Sequence, residues 1–159
     1  MVDSTAGSAS GTRLDAVQRL LDERDIIALA VDYAFAIDEQ RWDDLFRVFT
    51  ADCTAWLGST ELSGPGAIAE RCRTALEPLD ASHHLIGTHD VVLDGNRATH
   101  RCYLQAQHVR GDEQFLLGGR YEDECVRVAE GWRIARRVLT TMWTKGSMSV
   151  IRGAQARER

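Results

Sequence analysis

Apolar residues recur at helical spacing between Leu14 and Ile37. Leu14, Val17, Leu20 and Leu21, then Ile27, Ala30, Val31, Ala34 and Ile37 follow i, i+3, i+4 steps. The pattern predicts helix, with Asp22 or Asp25 placed to divide a short leading helix from a main one. DEQRWDDLFRVF then sets Trp42, Leu45, Phe46 and Phe49 on one face of a second amphipathic helix. Asp38 stands where it could cap that helix, a role that competes with a chemical one. CTAWLG reads as a strand and STELSG as a loop or short strand. GPGAIAERCRTAL places proline and glycine just before an apolar-periodic run, a helix start.

From Ser82 onward the period changes to two. HHLIGTHDVVL closes at DGN, RATHRCYLQAQHVR at GDE and QFLLGGRYEDECVRV at AEG, and WRIARRVLTTMW follows. Long alternating runs joined by short polar turns predict an antiparallel meander. The order of helices, strand, helix and consecutive strands implies an α+β layer architecture in a single domain, residues 14–150. Residues 1–13, MVDSTAGSASGTR, read as a disordered leader, and residues 151–159 as a polar tail.

The composition of the 159 residues narrows the function classes. A 44% hydrophobic and 27% charged content is ordinary for a soluble globular domain. The net charge of -5 excludes the basic stripe that a nucleic-acid surface needs. No apolar run is long enough to span a membrane, and the start lacks the basic and apolar regions of a secretory signal. The four cysteines, Cys53, Cys72, Cys102 and Cys125, are too dispersed for a zinc ribbon or a disulfide scaffold. Reduced thiols and a cytoplasmic location are expected.

The histidines carry the candidate chemistry. His83, His84 and His89 lie in SHHLIGTHD, and His100 and His108 on the next strand. Side chains alternate along a strand, so His83 and His84 point apart, as do His84 and His89 unless a bulge intervenes. His100 and His108 share a face but stand roughly 27 Å apart. A metal site is therefore not expected. An acid–base pair is the alternative: a carboxylate at Asp38, near Tyr33 on an apolar helix, could orient the imidazole of His84 and raise its basicity. Its competitor is that Asp38 only caps a helix while His84 packs. His108 closes a mostly apolar strand face with His100, Cys102, Leu104 and Ala106, whereas Tyr103, Gln105 and Gln107 share the other.

Four stretches together, YAFAID, EQRWDDLFRVFTADCTAWL, SHHLIGTHDVVLDGNRATHRCYLQAQHV and GGRYEDECVRVAEGWRIARRVLTTMW, resemble the SnoaL-like branch of the nuclear transport factor 2 superfamily. The resemblance extends to scytalone dehydratase-like enzymes and their relatives, the lindane dehydrochlorinases and bile-acid dehydratases. It implies a cone, in which N-terminal helices wrap a curved antiparallel sheet around a deep apolar cavity. It further implies an Asp–His dyad at Asp38 and His84, with Tyr33 bonding a substrate oxygen and His108 or Gln107 assisting. Trp56, Leu104, Gln107 and Trp143 are expected to contact substrate. No metal or organic cofactor is implied. Ile37 occupies the place of a second tyrosine in scytalone dehydratase, and the short segment after Trp143 leaves room only for a small lid.

The expected function is a cofactor-independent lyase or isomerase of dehydratase type, taking a proton from a hydrophobic, cyclic small molecule. A polyketide cyclase would begin with the same proton abstraction. A non-catalytic binding protein of this fold would have no use for a base. An accessory subunit like the small subunit of ring-hydroxylating dioxygenases would need a larger partner. By analogy the protein forms a homodimer or homotrimer.

Overall fold

A computed structural model describes the backbone of residues 6–152 and the side chains from residue 13 to residue 152. Its elements are α1 (Ala6–Asp38), a 3₁₀ turn (Trp42–Asp44), α2 (Leu45–Val48), β1 (Phe49–Trp56), β2 (Glu61–Ser63), α3 (Gly64–Leu76), β3 (Ala81–Asp94), β4 (Arg97–Arg110), β5 (Glu113–Val128), β6 (Gly131–Gly146) and α4 (Ser149–Arg152).

The long helix differs from its sequence reading at two points. It begins at Ala6, inside the stretch read as a disordered leader, whose first five residues lie outside the described ones. It also runs unbroken through Asp22 and Asp25. Asp22 is buried, and its carboxylate accepts bonds from Trp132 Nε1 at 3.2 Å, from Gln18 and from Arg127. That carboxylate anchors α1 to the far end of β5 and β6 rather than ending the helix.

The second amphipathic helix contracts to a 3₁₀ turn and one α-turn, because Phe49 already belongs to β1. Trp42, Leu45 and Phe49 are buried as patterned, but Phe46 faces solvent. Asp38 makes no cap there, and its carboxylate turns to β3 instead.

The strands form one curved, unclosed sheet in the order β2-β1-β6-β5-β4-β3. The meander from β3 to β6 is antiparallel throughout, but β1 pairs with β6 in parallel, so the sheet is mixed rather than wholly antiparallel. The chain reaches β1 from the helical layer and enters the sheet on the far side of β6, a placement that no local pattern encodes. β4 alternates strictly, burying Ala98, His100, Cys102, Leu104, Ala106 and His108 on the concave side. Those side chains, the apolar stripe of α1 from Ile26 to Ile37, and Ile68, Cys72 and Leu76 of α3 make one continuous core.

β3 does not keep simple alternation. Its pairing with β4 slips between Gly87 and Asp90, and Thr88 adopts a left-handed φ of 55°. One extra residue turns every later side chain to the opposite face. His84 and Ile86 point inward before the slip, and Val91 opposite His100 does so after it. His89 therefore also faces inward, where it stacks on His100, and not to the sheet surface. The alternation argument against metal binding consequently fails at His89.

Helix α4 reaches into the stretch read as a polar tail. Val150 is buried and Ile151 packs against the core within α4, so the domain continues to Arg152. Residues 153–159 lie outside the described ones. Among the described residues, no helix is long and apolar enough to cross a membrane.

Candidate active site

α1 delivers its last residue, Asp38, against the start of β3. Ser82 and His84 stand two residues apart on that strand and point the same way. The Asp38 carboxylate accepts three bonds from them. Oδ1 receives the Ser82 hydroxyl at 2.7 Å and His84 Nδ1–H at 2.6 Å, while Oδ2 receives the His84 backbone N–H at 2.7 Å. Burial pushes the Asp38 carboxyl up, but these bonds, led by that of His84, outweigh it and hold it below the usual carboxylate range. Asp38 is therefore ionised at neutral pH. With Nδ1–H committed to Asp38, the lone pair of His84 sits on Nε2.

His84 is also part of a cavity wall, and Asp38 lies behind it between helix and sheet. The cavity has a volume of about 110 Å³. Tyr33 and Ile37 of α1, Cys72 of α3, Leu104, Ala106 and His108 of β4, and Ile151 of α4 form its walls. The lining is apolar apart from a few groups. His108 stands beside His84, with ring centroids 5.3 Å apart and its Nδ1 at 3.5 Å from the Ser82 hydroxyl. Burial, reinforced by the neighbouring His84, pushes its pKa down to about 4, so His108 is neutral at pH 7.

Tyr33 is deeply buried, with its hydroxyl 3.5 Å from the Cys72 sulfur. Burial raises its pKa well above the ordinary value, so the phenol stays protonated. The Arg137 guanidinium lies 4.5 Å from the centroid of its ring and 4.2 Å from that of Tyr121. Asp123 grips Arg137 through two bonds of 2.7 Å, inside the apolar core. Burial alone would raise the Asp123 carboxyl, but Arg137 and then His100 overcome it and keep it ionised.

The expected site residues divide accordingly. Tyr33, His84, Leu104 and His108 meet at the cavity, with Asp38 behind His84. Gln107 belongs to the opposite sheet face and bonds to Gln114, so it cannot assist from β4. Trp56 alternates away from buried Cys53 and Ala55 and stacks under Arg136, leaving its neighbour Leu57 at the cavity. Trp143 sits on the outer face, packed over Gly118, and is half exposed. Both tryptophans follow from strand parity that depends on register, which aromatic content alone does not reveal.

Ser82 and Cys72 escaped the sequence reading. For Ser82 a signal was present, since a hydroxyl two residues before a strand histidine shares its face. Nothing comparable marks Cys72, which α3 brings to Tyr33 across a long sequence separation.

This geometry has relatives. Residues 18–138 match the SnoaL-like domain family. Uncharacterized protein Rv2910c of Mycobacterium tuberculosis (strain ATCC 25618 / H37Rv) is 36% identical over 136 residues, covering 81% of this chain and 91% of that protein. The crystal structure of Kfla4162 protein from Kribbella flavida superposes with a TM-score of 0.75 at 28% identity, over 80% of this chain and 95% of that one. Hexachlorocyclohexane dehydrochlorinase LinA-type3 from Novosphingobium barchaimii LL02 does so with a TM-score of 0.74 at 14% identity, over 85% of this chain and 96% of that one, a likeness of fold. By family match and relatives together, the chain belongs to the SnoaL-like domain family.

Proposed function

We propose that this protein is a cofactor-independent lyase or isomerase of dehydratase type, acting on a small, hydrophobic, cyclic molecule. One observation carries the reading: the Asp38 carboxylate orients an imidazole whose other edge belongs to an apolar cavity. Such an arrangement is suited to removing a proton from carbon. His84 Nε2 takes the proton of a C–H bond acidified by a neighbouring carbonyl or ring. Asp38 offsets the charge of the imidazolium that forms. The electron pair then expels a leaving group on the adjacent carbon, or migrates while the proton returns at another carbon.

The Tyr33 hydroxyl remains a donor at any physiological pH and is available to a developing oxyanion. Neutral His108 offers a second polar contact beside the base. The dehydrochlorinase with this fold has a name that fits elimination chemistry. Size favours a small substrate over a polyketide: at about 110 Å³ the cavity is already somewhat below the about 150 Å³ that accommodates one benzene ring, and a polyketide is several times larger.

The test is loss of a C–H proton, followed by deuterium exchange or by elimination in a panel of cyclic carbonyl compounds. Asp38→Asn and His84→Ala are expected to lower the rate about a hundred- to ten-thousand-fold. Ligand-induced fluorescence changes should persist in both variants. Full activity in both would remove the dyad. Binding without exchange in the parent protein would make it a non-catalytic carrier.

A further inference from the structure

The slip in β3 creates a second constellation of chemically competent side chains. It turns His89 inward, diagonally across from Cys102 and next to His100 of β4. A ring nitrogen from each histidine and the Cys102 sulfur all lie within 4.8 Å of one another. His89 Nδ1 and His100 Nε2 are 3.0 Å apart. The group lies four to six residues along β4 from the level of His84, about 13–20 Å away.

The geometry points to a binding site for a zinc-class divalent ion, held by His89, His100 and Cys102. Two imidazole nitrogens and a thiolate form a ligand set that suits a borderline-soft ion, and would not suit magnesium or calcium. A tetrahedral zinc centre places its nitrogens roughly 3.3 Å apart and its sulfur roughly 3.6 Å from each, so side-chain adjustments of about an ångström complete it. The outer support is already in place. His100 Nδ1–H donates to Asp123 Oδ2 at 3.1 Å, which puts the Nε2 lone pair toward His89 and Cys102. A carboxylate behind a ligating histidine is the usual partner in such centres. Arg137 fixes that carboxylate in turn.

Access and proton balance follow from burial. His100 and Cys102 are fully buried while His89 is half-buried, so the ion enters from the side of His89. Its fourth position is left to water or another small ligand. Binding takes the proton from the Cys102 thiol and releases it to solvent. His89 presents the Nδ1 lone pair and keeps its proton on Nε2. Without an ion, the same atoms make a closed chain in which His89 Nδ1–H donates to His100 Nε2, and the experiment separates these two states.

Tag-free protein is stripped with chelator, titrated with cobalt(II) as a spectroscopic stand-in for zinc, and then with zinc in competition. The expected result is about one equivalent bound, with a near-ultraviolet thiolate-to-cobalt band and visible bands of tetrahedral intensity. Zinc should bleach the spectrum and raise the melting temperature. Cys102→Ser should lose the thiolate band, and His89→Gln, at a half-exposed position that folding tolerates, should weaken binding at least about tenfold. His83→Gln, on the outer face, should change nothing. No uptake by the parent protein, uptake without a thiolate band, or equal uptake by His89→Gln would each overturn the proposal.

Discussion

Protonating His108 would set a positive charge beside His84 inside an apolar wall. Its folded-state pKa of about 4 lies below the unfolded value of 6.5, so in that interval the unfolded chain binds a proton that the folded chain refuses. Stability should therefore fall as pH drops from about 6.5 to 4, by up to about 1.4 kcal/mol per pH unit for one proton. His89 is shifted in the same direction, first by burial and then by His100. Asp38 behaves differently, because its folded pKa is depressed below 3.8 and its contribution is lost only in stronger acid. Urea midpoints measured across this range should show the slope, and His108→Gln should flatten it. A variant with an unchanged slope would mean that His108 is solvated.

Among the elements, β3 combines a left-handed residue inside a strand with most of the candidate chemistry. Thr88 is β-branched and sits at φ 55°, a region that β-branched residues rarely occupy. Thr88→Gly removes a backbone conflict of about 1–2 kcal/mol but adds unfolded-state freedom, so a net gain of up to about 1 kcal/mol is expected. Deleting residue 88 should also be tolerated. It removes the extra residue, so His89, Val91 and Leu93 keep facing inward with Val91 opposite His100, and stability should change by less than about 1 kcal/mol. Chemical denaturation of both variants checks these expectations. The existence of β3 was legible in its alternation and in the DGN turn, but its bulge was not. HHLIGTHD contains no proline or paired turn residues at the slip, and Gly87 alone does not announce which residue will be extra.

At the scale of the whole molecule, α1, β4, β5 and β6 converge on one buried ion pair. Arg137 and Asp123 are both fully enclosed, with the guanidinium between Tyr33 and Tyr121 and the carboxylate under His100. This pair links the wall of the cavity to the His89–His100 cluster. Arg137→Met would leave Asp123 buried without its cation, and a loss of roughly 3–5 kcal/mol is expected. Thermal unfolding of that variant is the measurement, and a loss below about 1 kcal/mol would show that water reaches Asp123. On the opposite face, Leu85, Tyr103, Met142 and Trp143 are exposed.

By itself the sequence determined most of the elements and the α+β class, and it singled out Asp38 and His84 as the candidate pair. Hydrophobic period distinguishes helix from strand locally, and Asp38 and His84 lie within motifs whose spacing is a property of the chain. Only the tertiary structure decided which face each strand residue meets. Parity depends on register, and register depends on a bulge at Thr88 and on the parallel entry of β1 beside β6. Trp56 was turned from the cavity by the entry of β1 beside β6 and Trp143 by a shift in the β5–β6 pairing at Gly118, whereas simple alternation already set Gln107 apart and Ser82 beside His84. Through the bulge His89 came to rest against His100 and Cys102.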